Sequence, residues 1–331
     1  MYMKKLSVIA CLMLALMSVN AQHVVNPFFD EMGIPRIQTV EYSQAPDTIV
    51  TTFHRMDDVM WSRTVYRVVD LRYKQNYQLY FPQKANDPDY KNLLLVILEA
   101  LADGVPAFEM TDNDPTAPIF KPDWRTPVRP QDMTNRLIEL SVKEMDQSDI
   151  EAYEIAEQNA KVLQYDEAND KYNLNLKPFE AITKNQIKYL VQEMVFFDRH
   201  TSRMHRSILA IAPLRADMIK TTFDPEEELT NEEKCQKIQQ ALTESFTCWI
   251  PFLALRPYLV MQYAIPIQNE TKRVTFDEFF QKRLFTSYLL GEDNMYNRMI
   301  TEYASDAETI RKEQDRIENE MLNFEQDLWE Y

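Results

Sequence analysis

The residues able to do chemistry come first. The four histidines are His23, His54, His200 and His205. His200 and His205 stand five apart. Two imidazoles share a helix face at i, i+4 and a strand face at i, i+2, so this spacing does not read as a zinc pair. His200 is expected in a turn and His205 on a strand surface. Carboxylates are abundant, and counting alone does not exclude a glycosidase-like pair. No carboxylate stands out, however. Asp57-Asp58 suits a helix start and Glu292-Asp293 suits a turn. Asp224–Glu228 lacks the alternating ligands and the glycine of a calcium loop. No serine or cysteine sits in a nucleophile context. The chain has only three glycines, Gly33, Gly104 and Gly291, where average usage would give roughly twenty. It therefore lacks a Walker A loop, a dinucleotide fingerprint and a nucleophile elbow. No catalytic residue, cofactor or metal is expected from these patterns.

Composition points to an exported protein. Residues 1–21 read as a secretory signal: Lys4 and Lys5, an apolar Leu6–Met17, then Val19-Asn20-Ala21. The apolar run is short for a bilayer span. Val8-Ile9-Ala10-Cys11 resembles a lipobox, but Leu12-Met13-Leu14 would follow where a polar tether is usual, so cleavage between Ala21 and Gln22 is preferred. Losing two lysines makes the formal charge of −16 more negative still. Nucleic acid and an anionic membrane surface are poor ligands for such a chain. A basic protein partner fits, as does a charge that serves solubility alone. Cys235 and Cys248 remain. Thr230 to Glu233 is a capping box, and the helix it opens runs to about Ser245. Thirteen helical residues span about 20 Å, beyond disulfide reach. Two buried, unbridged thiols are expected.

The elements predict a two-lobed α+β fold: mixed helices, short antiparallel strands and a long C-terminal helix. Gln22–Met56 is an extended arm broken by Pro27, Pro35 and Pro46. Its apolar Phe28 and Phe29 dock on a neighbour or wrap their own domain. In the N-terminal lobe, 57–111, Asp57–Asp70 reads as a helix and Tyr77–Phe81 as a strand ended by Pro82. Leu93–Ala102 is a buried helix capped by Gly104, and Val105–Met110 returns as a strand. Five prolines make 112–130 a linker or surface strap, with Trp124 either an anchor or packed on its own lobe. Thr134–Met145 and Ser148–Gln164 read as helices within a helical segment, 131–180.

The C-terminal lobe, 181–304, holds the clearest β feature. Val191–Phe197 and Arg203–Ile211 form a hairpin around the turn Asp198–Ser202. Trp249–Leu255 and Tyr258–Ala264 add strands. Thr275 with Glu278 opens a capped helix whose apolar face is Phe276, Phe279, Phe280 and Leu284. Phe285–Leu290 follows as a strand, Gly291 as a turn, and a short helix over Met295–Tyr303. A weak internal repeat relates Tyr80-Phe81-Pro82 and its helix to Ala264-Ile265-Pro266 and its helix. Finally, 305–331 is a helix with a heptad-like seam: Ile310, Ile317, Met321, Phe324 and Leu328, with Gln314 filling a gap. That seam docks a partner or packs on its own domain.

Three segments resemble one family. DEFFQKRLFTSYLLGEDNMYNRMI (277–300) is similar to the C-terminal signature of the GldN/PorN family of the type IX secretion and gliding machinery. DDVMWSRTVYRVVDLRYKQNYQLYFP (57–82) resembles its N-terminal signature. FFDRHTSRMHRSILAIAPL, beginning at Phe196, resembles its hairpin. The matches run in order over most of the mature chain. After Trp249 the family pattern leads from an aromatic strand into R-x-x-L, whereas this chain reads WIPFLALRPYLVMQYAIP, with an extra proline that leaves the register open. The resemblance implies a non-enzymatic subunit of a periplasmic ring under the outer membrane. It implies self-association, a GldK/PorK-like outer-membrane lipoprotein as partner, and contact with the periplasmic part of a GldM/PorM-like inner-membrane motor. Phe28, Phe29, Trp124, Phe324 and Leu328 are the candidate partner contacts. The residues alone leave two other classes open: a periplasmic hydrolase using paired carboxylates, and a monomeric ligand-binding protein with an apolar pocket.

Overall fold

The computed structural model describes residues 54–83, 90–110, 121–129, 132, 163–166, 171–174, 188–214, 248–266, 273–296, 298–304 and 306–327. The signal, the arm up to residue 53, Cys235 and its helix, both helices expected between 134 and 162, and Leu328 lie outside them. Everything below belongs to the compact unit Thr39–Tyr331.

A five-stranded antiparallel sheet organises this unit. Its strands are β1 (Val59–Asp70), β6 (Lys188–Asp198), β7 (Arg203–Leu214), β8 (Ile250–Pro251) and β9 (Ser287–Glu292). Their order is β8-β7-β6-β1-β9. The expected hairpin is β6–β7, in register from Lys188↔Leu214 to Asp198↔Arg203 with one irregularity at Gln192/Glu193. β1, from the expected N-terminal lobe, lies between β6 and β9 of the expected C-terminal one. Two smaller two-stranded sheets pair β2 (Ala107–Met110) with β3 (Pro122–Val128), and β4 (Leu163–Asp166) with β5 (Lys171–Leu174). The prolines of β3 suit it, since a two-stranded sheet consists of edges only. Leu163 and Gln164, expected to end a helix, belong instead to β4.

β1 corrects the helix expected over Asp57–Asp70. Only Met56–Asp58 is helical, as one 3₁₀ turn. The strand is rich in Val, Thr, Tyr and Trp, which favour a pleated surface. Residues 65–70 are buried on both faces. That erases the apolar alternation a half-exposed strand would show.

Helices cover the sheet. Here α1 is Tyr77–Tyr80, α2 Leu93–Ala102, α3 Phe252–Met261, α4 Phe276–Gln281, α5 Ile300–Tyr303 and α6 Ala307–Asp327. α2 has the bounds expected of it. Asn92 caps its start by accepting from Leu95 N–H at 2.8 Å, and Gly104, at φ +96°, takes the left-handed conformation after its end. α1 corrects the strand expected over Tyr77–Phe81. α3 corrects both strands expected after Trp249, of which only Ile250–Pro251 remains. Phe252, Leu255, Arg256, Leu259 and Val260 are buried along α3. That i, i+3, i+4, i+7, i+8 stripe prevails over the breaker Pro257. α4 begins at the expected cap, with Thr275 Oγ1 accepting from Glu278 N–H at 3.2 Å. It ends earlier than expected, where Arg283 turns to φ +54°. α5 covers only the last residues of the helix expected over Met295–Tyr303.

Gly291 is not a turn residue either. It lies inside β9, and a Cβ there would come within 3.3 Å of Met299 Cα and collide with the Met299 side chain. Glycine suits the close approach there, not a chain reversal. The main core joins α2, α3 and α4 to the sheet through Leu94, Val191, Ile211, Leu255, Phe276 and Phe280, among others. α6 packs its seam on the same sheet: Ile317 and Met321 cluster with Val65, Val195, Leu289 and Ile300. Gln314, in the gap of the seam, donates Nε2–H to Leu289 O at 2.5 Å.

Candidate functional site

Three places gather polar or exposed side chains. The first is the closed end of the β6–β7 hairpin. Asp198 ends β6, and its Oδ1 accepts from His200 N–H at 2.7 Å within the turn. The backbone of Arg199 donates to Asp58 O at 2.8 Å, fastening the turn to the segment entering β1. That brings His54 Nδ1 to 2.5 Å from Asp198 Oδ2, both buried. His205, opposite Phe196 in the hairpin register, completes the group. Its ring centroid is 4.3 Å from that of His54, and its Nε2 is 2.7 Å from Thr201 Oγ1. Phe196 stacks on His205 at 5.5 Å and meets His54 edge-on at 5.0 Å. Burial would raise the Asp198 carboxyl, but bonds from His54 and from the His200 and Thr201 amides outweigh it and hold it below its ordinary value. Burial and the neighbouring His54 lower the His205 imidazole, against the pull of Asp198.

The second place is a charged seam where α4 and α6 meet on the sheet. Glu193 is completely buried between Arg67 Nε at 3.2 Å and Arg283 Nη1 at 2.8 Å. Arg67 reaches on to Glu318 of α6 at 3.0 Å. Arg63 bridges Glu292 at 3.0 Å and Glu320 of α6 at 3.2 Å. Burial raises the Glu292 carboxyl, while Arg63 draws it down. This seam holds the long helix in one register on the sheet. Its carboxylates face arginines.

The third is an aromatic cleft of ≈ 340 Å³ beyond the end of β1, lined by Leu71, Arg72, Tyr77, Tyr80 and Phe81. Arg72 is tied to Asp70 by Nη2–H to Oδ2 at 2.6 Å. Phe81 packs edge-on against both Tyr80 and Tyr77. Tyr73, Tyr77 and Phe81 remain exposed. Among the described residues, no carboxylate lines this cleft.

Of the residues singled out in the sequence, Trp124 is half-buried, 5.2 Å edge-on to Phe108, beside the cluster of Tyr66, Val68, Trp249 and Met299. Phe324 stacks on Trp61. Ala21, Gln22, Phe28, Phe29 and Leu328 lie outside the described residues. Cys248 is buried. No helix among the described residues is long and apolar enough to cross a membrane.

The profile of the family described as gliding motility associated protein GldN matches residues 54–330. That is well over half of the chain. The protein belongs to the GldN family. No curated protein matches the chain. This GldN-family protein is therefore a component of the gliding motility and type IX secretion machinery. The matched region starts at His54 and takes in the hairpin, the charged seam and the aromatic cleft.

None of these three places is legible as a whole in the sequence. His54 and Asp198 are 144 residues apart, and nothing local links them. The hairpin register does place His205 opposite Phe196, close to Asp198, so two of the three members are accessible. The cleft has a signal of its own: Tyr73, Tyr77, Tyr80 and Phe81 recur at four, three and one residues, as aromatics on a short helical turn do. Reading Tyr77–Phe81 as a strand hid it.

Proposed function

We propose that the protein is a non-enzymatic structural subunit of a periplasmic ring in the type IX secretion and gliding machinery, coupling an inner-membrane motor to the outer membrane by protein–protein contacts. The family match over residues 54–330 carries this reading. On it, the signal is cleaved between Ala21 and Gln22, and the mature protein lies in the periplasm against the inner face of the outer membrane. Its partners are further copies of itself, an outer-membrane lipoprotein and the periplasmic domain of the motor.

The structure supports a mechanical role in two ways. α6 is fixed to the sheet by apolar packing and by the Arg63 and Arg67 bridges, so load on the helix reaches the sheet without slack. Exposed apolar side chains also gather in two separate places. One is the Tyr73, Tyr77 and Phe81 group at the end of β1. The other is Met295 and Tyr296, 85% and 71% exposed, after β9. Exposed apolar patches mark contact surfaces. Phe28, Phe29, Trp124 and Leu328 are further proposed contacts, whereas Phe324 is engaged by Trp61 and offers only its exposed edge. Many modest contacts repeated around a closed ring add up to a stable assembly.

The test is gentle solubilisation of cell envelopes, gradient sedimentation, and mass spectrometry of co-migrating chains. A very large particle holding this chain and one lipoprotein in near-equal amounts supports the proposal. Migration as a soluble monomer overturns it.

A further inference from the structure

We propose that His54, Asp198 and His205 form a site for a divalent transition ion of the zinc class, at the hairpin end where the chain enters β1. This rests on the geometry of the three side chains and not on the ring reading.

One ligand atom from each residue lies within 4.8 Å of the others. Two imidazole nitrogens and one carboxylate oxygen are the donor set that suits zinc, with a water left to complete four-coordination. Zinc at about 2.0–2.1 Å from each donor would hold them roughly 3.4 Å apart. Side-chain shifts of about an ångström suffice, because the backbone already supplies the frame. Asp198 and His205 sit on a paired hairpin. His54 is fixed by the turn in which Asp58 N–H donates to Arg55 O at 3.0 Å.

The surroundings resemble the outer shell of a metal site. Asp198 Oδ1 is oriented by His200 N–H, and His205 Nε2 is engaged by Thr201 Oγ1. Such partners fix ring orientation and carboxylate rotation at metal centres. Phe196 provides an apolar wall to both imidazoles. His54 and Asp198 are buried, while His205 is half-buried and gives a path for entry. Binding would replace the His54–Asp198 hydrogen bond by two metal bonds, releasing any proton that bond carries. It would tie the root of the N-terminal segment to a turn 144 residues away. With His54 and Asp198 buried and Phe196 walling both imidazoles, the ion would brace the hairpin end against the segment entering β1.

The experiment uses the mature protein, stripped with chelator and titrated with zinc chloride by calorimetry and thermal unfolding. One zinc per chain and a raised unfolding midpoint are expected at up to about 100 μM metal. His205→Ala should weaken binding at least tenfold, as should Asp198→Asn, each with unchanged circular dichroism in the absence of metal. His200→Ala, at an exposed turn residue, should leave binding intact. No heat and no midpoint shift in this range would overturn the proposal. So would zinc binding that survives both His205→Ala and Asp198→Asn, since the ion would then be held elsewhere, for instance by His23 or His200.

Discussion

Trp61 of β1 and Phe324 of α6 stack with ring centroids 4.6 Å apart and planes inclined by 25°. This contact decides how the heptad-like seam of the last helix is used. Four of its positions, Ile310, Ile317, Met321 and Phe324, face the chain's own sheet. The pair is half-exposed, so Phe324→Ala should cost about 1–2 kcal/mol, less than a fully buried phenylalanine. Urea unfolding of the mature protein measures it. An unchanged midpoint together with a lost assembly would instead make Phe324 a partner contact.

Gly291 allows β9 to pass close to Met299. Gly291→Ala should destabilise by about 1–3 kcal/mol, because the added methyl overpacks a closed site. Met299→Ala alone should also destabilise, through a cavity. Combining them should restore part of the loss, since the methyl then occupies the vacated space. Strict additivity in a double-mutant cycle would refute the close-approach account.

Arg256 of α3 and Asp277 of α4 form a buried bidentate pair, 2.7 and 3.1 Å. Removing one partner leaves a charge away from water. Asp277→Ala should therefore cost about 3–5 kcal/mol. Replacing both, as Arg256→Met with Asp277→Leu, should cost less than either single change. A burial-dominated pair is also weakly screened, so the single-variant losses should persist in high salt. Losses that vanish in salt would show an exposed, surface-type interaction.

These particulars show where the sequence was legible. α2 is legible because it is apolar almost all round and Gly104 follows its end. The hairpin was read because Asp198–Ser202 interrupts two β-rich runs. β1 was misread because tertiary burial covers both faces, so its period was hidden and Asp57-Asp58 imitated a helix start. α3 reads as two strands on either side of Arg256-Pro257 unless its buried stripe of five residues, from Phe252 to Val260, is counted at helical spacing. Gly291 was placed in a turn because a glycine demanded by close approach has no local signature. His54 joins Asp198 and His205 only through pairing across the sheet, and spacing along the chain carries no record of that contact.

The same group predicts a pH dependence. The folded His205 imidazole titrates below its ordinary value, chiefly through burial and His54. The unfolded chain, with a histidine value near ~6.5, therefore takes up the proton first as pH falls. Stability is greatest above that value and declines until the folded imidazole itself titrates. Asp198 acts later. Its folded value is depressed despite burial, by His54 and the turn amides, so its contribution is present above ~3.9 and is lost as pH falls through the lower folded value. Glu292 and Glu302 oppose this decline, because burial raises both and protonating them in mild acid favours the fold. The comparison must therefore be differential. Urea midpoints of the metal-free protein should fall between pH 7 and 5.5 more steeply for the native chain than for His205→Gln, which cannot titrate. Below pH 4 both should fall together, as Asp198 is common to them. Parallel profiles from pH 7 to 5.5 would mean that His205 titrates alike in the folded and unfolded chains, and that the contact with His54 carries no electrostatic consequence.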